Sequence, residues 1–397
     1  MQFIKQSPHL PGAYCKIRFK RLEHLAAQVF LVILLISSAH FAQAQQGPFN
    51  TTQEAQWLEL AQQTHNEHSS LASDVHRLLP QQKNWALALD NDIFVPGSRD
   101  QDYTYGINFT QSGPHIRDAV LSLNTPLQFL DSGLGFPPAD EQTEERYIRE
   151  LGAFGFTPED ITIEAANPND RPYASLVYLS SAREQIDWVN DLAWKSTLTL
   201  GLLGTNLPGN LQNRVHEYTN STRAEGWENQ ISDGGELTAR YQLARQQLLD
   251  IGENTELKST LQISVGYLTE ASAGISFRRG DINSSWASFN PDLTSYGEKA
   301  SFDGNTKAVN EHYFWGGIAL KARAYNAFLE GQFRESAVSY QRSELNSILV
   351  EAWLGYTIAF RNGYRFSYVL RGHTSEVRNG NGDRGLLWGS LILARAI

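Results

Sequence analysis

Cysteine is all but missing: the chain's one thiol, Cys15, lies near its start, so the remainder can make neither a disulfide nor a thiolate metal site. No apolar run after Ile36 is long enough to cross a bilayer as a helix, which takes roughly 20 residues. Positive charge is scarce as well. With 33 Lys and Arg against 43 Asp and Glu the formal charge is −10, which argues against a nucleic-acid partner and repels anionic lipid unless a cation intervenes. The chain has no Gly-x-Ser-x-Gly elbow and no His-x-x-x-His pair, so its sequence spells neither a serine-hydrolase elbow nor a zinc helix. A Ser–His pair made in space stays open, because such partners need not be neighbours in sequence.

What is present begins with a leader. Lys16, Arg18, Lys20 and Arg21 precede the apolar run Ala26 to Ile36 and the small-residue site Ala42-Gln43-Ala44, the order of a secretory signal peptide over residues 1–44. That leader holds five basic residues and one acidic, so its removal takes the charge from −10 to −14. Export without disulfides suits a bacterial envelope. Residues 45–84 are polar, with Trp57, Leu58, Leu60, Leu71, Val75, Leu78 and Leu79 at loosely helical spacing, and read as a short helical or disordered N-terminal extension.

From Trp85 the apolar period becomes two. Ile348, Val350, Ala352, Leu354, Tyr356, Ile358 and Phe360 alternate with residues that include Glu351 and Thr357, as on a strand with one greasy and one mixed face. The texture recurs in Leu198-Leu200-Leu202, Leu237-Ala239-Tyr241-Leu243 and Phe366-Tyr368-Leu370. Several segments run to about 10–14 residues, longer than sandwich strands typically are. About a dozen of them predict an all-β fold, an antiparallel transmembrane β-barrel over 85–397, closed so that no backbone edge faces lipid. Arg361-Asn362-Gly363 and Thr269-Glu270 read as tight periplasmic turns and the polar stretch 281–312 as a long outer loop.

Three polar clusters fall at strand ends. They are Asp90-Asn91-Asp92 with Asp100, Asp102, Tyr103, Thr104 and Gly106; Asn169-Asp170-Arg171-Pro172-Tyr173-Ala174; and Gln212-Asn213-Arg214-Val215-His216, followed by Trp227, Asn229 and Gln230. Singly, each has a structural explanation: turn formers, a lumenal ion pair for Asp170-Arg171, a solvated histidine. Taken together, carboxylates and a histidine at one barrel mouth supply a hydrolytic site. Hard oxygen ligands such as Asp92 suit Ca²⁺, and a neutral His216 can take a proton from water while a cation polarises an ester carbonyl.

These clusters, in this order, resemble the signature of the LpxR-type lipid A 3′-O-deacylases, twelve-stranded outer-membrane barrels. The matching segments are Asn91-Asp92-x-Phe94 with Asp100-x-x-Tyr103-Thr104-x-Gly106, then Phe156-Thr157-Pro158 and Asp170-Arg171-Pro172-Tyr173-Ala174. Gln212-Asn213-x-x-His216 and Gly226-Trp227-x-Asn229-Gln230 complete the series. The resemblance implies a monomeric, calcium-dependent esterase in a bacterial outer membrane, acting on lipid A of lipopolysaccharide. His216 would activate water, Asp92 would bind the cation, and Asn91, Thr104 and Gln212 would position metal, water or acyl carbonyl. Two positions depart from the family pattern: no Lys occurs between Pro158 and Arg171, and Thr222 stands where a glutamate is found six residues after the histidine, with Glu225 as its nearest replacement. The competing expectations are a narrow pore, a barrel whose catalytic residues have drifted, and an outer-membrane phospholipase.

Overall fold

Alternation of side chains along each segment requires a surface with two faces, and twelve such segments close on one another. The computed structural model describes residues 83–96, 102–139, 143–219, 221–252, 254–299 and 310–396. The expected leader 1–44 and nearly all of the expected extension 45–84 lie outside the described residues. The strands are β1 Asn84–Asn91, β2 Asp102–Ser112, β3 Thr143–Thr157, β4 Ala174–Asp187, β5 Leu192–Leu203, β6 Glu236–Gly252, β7 Thr255–Gly266, β8 Leu268–Asp281, β9 Glu311–Asn326, β10 Ile348–Ala359, β11 Tyr364–His373 and β12 Leu386–Ala396. Each pairs antiparallel with its sequence neighbours, and β1 pairs with β12 from Asn84↔Ala396 to Asn91↔Gly389, which closes the barrel. Among the described residues the two longer helices lie in connections, α1 (Asn124–Leu134) between β2 and β3 and α2 (Asn206–Thr219) between β5 and β6, and a single turn of helix, Ala327–Glu330, follows β9.

The pleat sorts the chemistry. On β7, Leu261, Ile263 and Val265 are exposed on the outside, while Lys258, Thr260, Gln262 and Ser264 are buried on the inside. On β10, Ile348, Leu354 and Ile358 face out, and Glu351, Trp353 and Thr357 face in. An exposed apolar belt around a charged interior is the pattern of a barrel whose solvent is lipid.

With an even strand count both chain ends lie at one rim, here called the terminal end, opposite the far end. The turns 188–191 and 360–363 and the junction of β6 with β7 are at the terminal end, but so is the connection from β8 to β9, because it follows an even number of strands. Segment 281–312 is therefore not an outer loop: its described part up to Lys299 enters the lumen from the terminal end and climbs it. Asn290 Nδ2 donates to Glu184 Oε1 (3.2 Å), Lys258 Nζ pairs with Asp292 (3.3 Å), Tyr178 OH donates to the Gly297 carbonyl (2.9 Å), Glu298 pairs with Arg240, and Lys299 Nζ reaches Asp90 Oδ2 (2.6 Å). Gly297 passes so close to the wall that a Cβ there would sit 2.5 Å from the Phe154 ring. The Thr269-Glu270 turn also moves. β7 and β8 join at the far end through Tyr267 alone, Gly266 takes φ 136° where a side chain would strike the Ala239 carbonyl, and Thr269 and Glu270 lie within β8.

At the far end the lumen is filled by aromatic rings. Tyr103 stacks on Trp388 (4.9 Å), Phe156 meets Tyr296 edge-on (4.9 Å), and Phe154 and Phe328 complete the cluster. Each such pair contributes about 0.5–1.5 kcal/mol beyond the area it buries. Among the described residues the lumen is occupied by its own chain and capped by rings, which counts against the narrow-pore expectation. Planar-bilayer recordings of the full chain are expected to show no conductance steps. A variant with 285–308 replaced by a short Gly-Ser linker should show them, and steps of equal size from both proteins would overturn the plug.

Candidate functional site

The first polar cluster is divided by the barrel wall. Asp90 and Tyr103 point inward, where Tyr103 OH donates to Asp90 Oδ2 (3.0 Å) beside Lys299. Asn91, one residue on, points outward: its Nδ2 donates to the Thr104 carbonyl (2.6 Å), and its Oδ1 accepts from Ile93 N (2.8 Å) to cap the 3₁₀ turn Asp92–Phe94. Asp92 is fully buried at the head of that turn. The turn is held in place because Tyr368 OH donates to the Phe94 carbonyl (2.6 Å) and Gly389 leaves room for the Phe94 side chain. In β2 the register shifts between Tyr103 and Tyr105, so Thr104 is the extra residue of a bulge. Its hydroxyl lies 2.6 Å from that of Thr157, whose side chain faces outward from β3. Bulges of this kind re-aim side chains next to functional sites. Asp100 lies outside the described residues.

The third cluster forms a helix rather than the expected loop. On α2, Gly209, Gln212, Asn213 and His216 share one face through the i, i+3, i+4, i+7 spacing. That face meets segment 222–227. Trp227 packs where a Gly209 Cβ would stand and donates Nε1 to Gln212 Oε1 (2.8 Å). Asn213 exchanges two hydrogen bonds with the Ala224 backbone (2.9 and 3.0 Å). His216 Nδ1 bonds the Thr222 carbonyl, and since a carbonyl only accepts, Nδ1 carries the proton and Nε2 keeps a lone pair in the neutral ring. Gln212 is buried, and with Oε1 taken by Trp227 its Nε2 has no hydrogen-bond partner among the described residues. Glu225, the residue nearest in sequence to the expected glutamate, instead pairs with Arg223 (3.6 Å).

An aromatic bridge joins α2 to the wall. Trp227 packs on Tyr173 (4.9 Å between centroids), and both belong to a cluster with Ile161, Ala224 and the outward-facing Tyr105, next in sequence to Thr104. Burial pushes the Tyr173 hydroxyl up to about 12, so it stays protonated and donates to the Ile161 carbonyl (3.2 Å). The structure thus brings Asn91 to Thr104 on the wall and Gln212 to His216 on the helix, with Asp92 beside the first pair. Asn91 is on the outer face of the wall, and α2 is joined to that face through Trp227, Tyr173 and Tyr105, at the rim where the sequence put the barrel mouth.

The second cluster is structural, though Asp170 and Arg171 do not pair through their side chains. Asp170 Oδ1 accepts from Arg384 (2.6 Å), which also grips Asp102 at the start of β2 (2.6 and 3.0 Å). Arg171 pairs with Glu376 (2.6 Å) and lies over the Phe156 ring (4.3 Å). Glu376 also accepts from Tyr296 (2.5 Å), Asn326 (2.9 Å) and Arg323. Sequence reasoning missed Arg384 and Glu376, which come from a polar connection some 200 residues away with no motif to mark it.

Next to Asp92 in the chain is the Asn91 amide, which bonds the Thr104 carbonyl, and the Thr104 hydroxyl pairs with that of Thr157. Among the described residues no three His, Cys, Asp or Glu side chains form a metal-binding group. One carboxylate among neutral oxygens fits a hard cation such as Ca²⁺ and not zinc.

Burial alone would raise the Glu376 carboxyl, but Arg171 and Arg323 outweigh it and hold it well below the usual carboxylate range. A depressed folded pKa means that its contribution to stability is complete above about pH 4.3, the ordinary glutamate value, and is lost as the pH falls toward the depressed folded value. Glu376→Gln is expected to cost about 3–5 kcal/mol, since it leaves the buried Arg171 guanidinium without its anion and takes from Arg323 one of its two. Heat-modifiability on gels and thermal melts check this, and the variant should also lose the wild type's stability step in acid.

Comparison with known proteins places this arrangement. The family model "Outer membrane protein LpxR" matches residues 30–397. Among solved structures, LpxR from Salmonella typhimurium aligns with TM-score 0.54 and 16% identity, over 79% of this chain and 100% of that one. The β domain of the Bordetella autotransporter BrkA aligns at TM-score 0.39 and 8% identity, over 80% and 99%. Comparison with curated proteins gives no match. A family match over residues 30–397, which takes in every strand of the barrel, makes this chain an outer-membrane protein that belongs to the LpxR family.

Proposed function

We propose that the protein is a hydrolase that removes an ester-linked 3′-acyl or acyloxyacyl chain from lipid A, with His216 as the general base. The observation that carries this reading is the pairing of His216, its basic Nε2 set by the Thr222 carbonyl, with the open amide donor of Gln212 one helical turn away on the same face. A chain inserted from the periplasm with an even strand count keeps both termini on that side, so the far end, with α2, faces outward. An outer-wall site there meets a lipid of the outer leaflet without drawing it into the lumen.

His216 Nε2 takes the proton of a water molecule as it attacks the ester carbonyl, and returns it to the leaving sugar oxygen. A buried donor without a partner costs free energy at rest, and that cost is recovered when Gln212 Nε2 hydrogen-bonds the acyl oxygen as it gains charge. Asn91 and Thr104 keep each other and the Asp92 turn in position through their 2.6 Å bond. When bound, Ca²⁺ would be held by Asp92 with these neutral oxygens and would polarise the carbonyl and offset the negative charge of the lipid. Thr222 contributes its backbone, not its side chain, which answers the missing glutamate: orientation of the ring survives the substitution.

Mass spectrometry of lipid A from cells expressing the wild-type chain is expected to show loss of a 3′-acyl mass, and none with His216→Ala. Gln212→Ala should slow the reaction about 10²–10³-fold, as loss of one oxyanion donor does, with the fold unchanged on gels. Activity of the purified protein should vanish with chelator and return with Ca²⁺ but not Zn²⁺. Identical lipid A from wild type and His216→Ala, both present in the outer membrane, would leave a structural barrel as the reading.

A further inference from the structure

The connection from β2 to β3 starts at the terminal end, yet it folds back along the outside of the wall. Its anchors are outward-facing side chains of four strands. Leu123 N donates to Ser181 Oγ of β4 (2.8 Å). Asp131 of α1 accepts from Ser196 Oγ of β5 (2.8 Å) and Tyr241 OH of β6 (2.9 Å), and pairs with Arg183 of β4 (3.6 Å). Arg183 also pairs with Glu145 of β3 and lies over the Phe136 ring (4.9 Å). Arg117 lies over Tyr147 of β3, and Arg149 of β3 donates to the Val120 carbonyl.

The register shows that these partners belong to the lipid-facing side. Leu151, Leu179, Leu200 and Ala239 stand opposite one another across β3 to β6, with Leu151 and Leu200 exposed on the apolar belt. Two residues nearer the terminal end, the next outward row is Arg149, Ser181, Leu198 and Tyr241, and the one after is Tyr147, Arg183, Ser196 and Leu243. The belt therefore turns polar and charged on this side. A bare wall would set these groups against acyl chains; instead the connection covers them, and Ser181, Ser196 and Asp131 are buried beneath it.

The opposite surface of this cover is uncharged and mostly apolar, with Thr125 and Ser132 its exposed polar side chains. Val120, Leu121, Phe129 and Leu134 are 84, 62, 78 and 57% exposed. Between Val120 and Phe136 the one charged residue is Asp131, and it is turned to the wall. Charge resumes outside these limits, with Arg117 and Asp118 before and Asp140 and Glu141 after. A helix with a polar face sealed against protein, an apolar face outward and charges only at its flanks has the build of a segment lying in a membrane interface. Because the connection is bonded to Ser181 and Tyr241, in the row directly beside that of Leu179 and Leu200, the solvent next to it is the same lipid that Leu200 meets.

We propose that residues 120–136, centred on α1, form a lipid-binding surface embedded among the acyl chains of the periplasmic leaflet, standing in for the lipid-facing wall that β3 to β6 leave polar. The partner is phospholipid hydrocarbon, and the surface is independent of the reaction at His216, on the opposite leaflet side. The test places nitroxide labels at Phe129→Cys and Leu134→Cys in a Cys15→Ser background and reconstitutes the full barrel in phospholipid vesicles. Collision with oxygen is measured against collision with a water-soluble nickel chelate. Leu200→Cys serves as the belt reference and Glu228→Cys, exposed in the far-end connection, as the water reference. The expected result is an oxygen-to-nickel ratio at both α1 sites equal to that at Leu200 and at least tenfold above that at Glu228. A ratio like that at Glu228 would falsify the proposal by placing the helix in water, and low collision with both reagents would overturn it by placing the helix against protein. Adding Phe129→Asp to the Leu134→Cys protein should raise nickel collision at Leu134, and an unchanged ratio there would count against a lipid-held surface.

Discussion

Closure of the hydrogen-bond ladder between β1 and β12 is the constraint from which the rest follows. In hydrocarbon an unpaired backbone group costs several kcal/mol, so a strand barrel is admissible only without an edge. The eight pairs from Asn84↔Ala396 to Asn91↔Gly389 remove that edge and fix the pleat of every strand. Once the pleat is fixed, neighbouring residues are committed to opposite environments. Asp90 and Asn91 are adjacent in sequence, but the first becomes a lumenal anion held by Lys299 and the second a wall residue that builds the site. The bulge at Thr104 is the local exception that proves useful: one extra residue turns a hydroxyl toward Thr157 on the outer side.

The lumen carries the burden of stability so that the wall can carry chemistry. Its charges are matched side to side, Arg323 with Glu270, Lys321 with Glu351, and Arg171 with Glu376, and its climbing segment fills what remains. Buried pairs of this kind add little net stability over an apolar core, but breaking one is costly, so they specify a single arrangement. Glu376 shows how far that specification reaches. It ties Tyr296 of the climbing segment to Arg171, whose neighbour Asp170 is tied through Arg384 to Asp102, two residues before Thr104. The position of the outer-wall site is thus set from inside the barrel.

The period of two made the strands legible, and on β10 every apolar residue expected on one face is found on the outside. The structural reading of Asp170-Arg171 also holds, although the partners, Arg384 and Glu376, were invisible because tertiary contacts across 200 residues leave no local pattern. Misplacement of segment 281–312 has a simple cause: polarity and length mark a connection but not its side. Counting strands does, since after eight of them the chain must be back at the rim where it began. Helix α2 was hidden by Pro208 and Gly209, residues that discourage a helix. Pro208 sits in the first turn, where its missing N–H costs nothing, and Gly209 is the gap that Trp227 fills. The site's location outside the wall was unreadable for a related reason, because parity fixes relative facing only, and a bulge reverses it.

In the reaction proposed above, His216 is oriented by the Thr222 carbonyl where the family pattern has a glutamate, and the difference is one of charge more than of geometry. A backbone carbonyl selects the Nδ1–H tautomer as firmly as a carboxylate does, since both only accept. What it does not supply is a full negative charge to stabilise the imidazolium formed when water gives up its proton. A base oriented in this way works best when the proton is handed on promptly, and the leaving sugar oxygen is the acceptor that the reaction itself provides. Selection of the tautomer therefore survives the exchange of glutamate for Thr222, while the help given to the charged ring is reduced to a dipole. The role proposed for Gln212 follows the same economy, an amide in place of a charge, and α1 exposes no charged residue. On a wall that faces lipid, neutral groups in fixed positions do the work that charges do in water, because a charge there must first be desolvated.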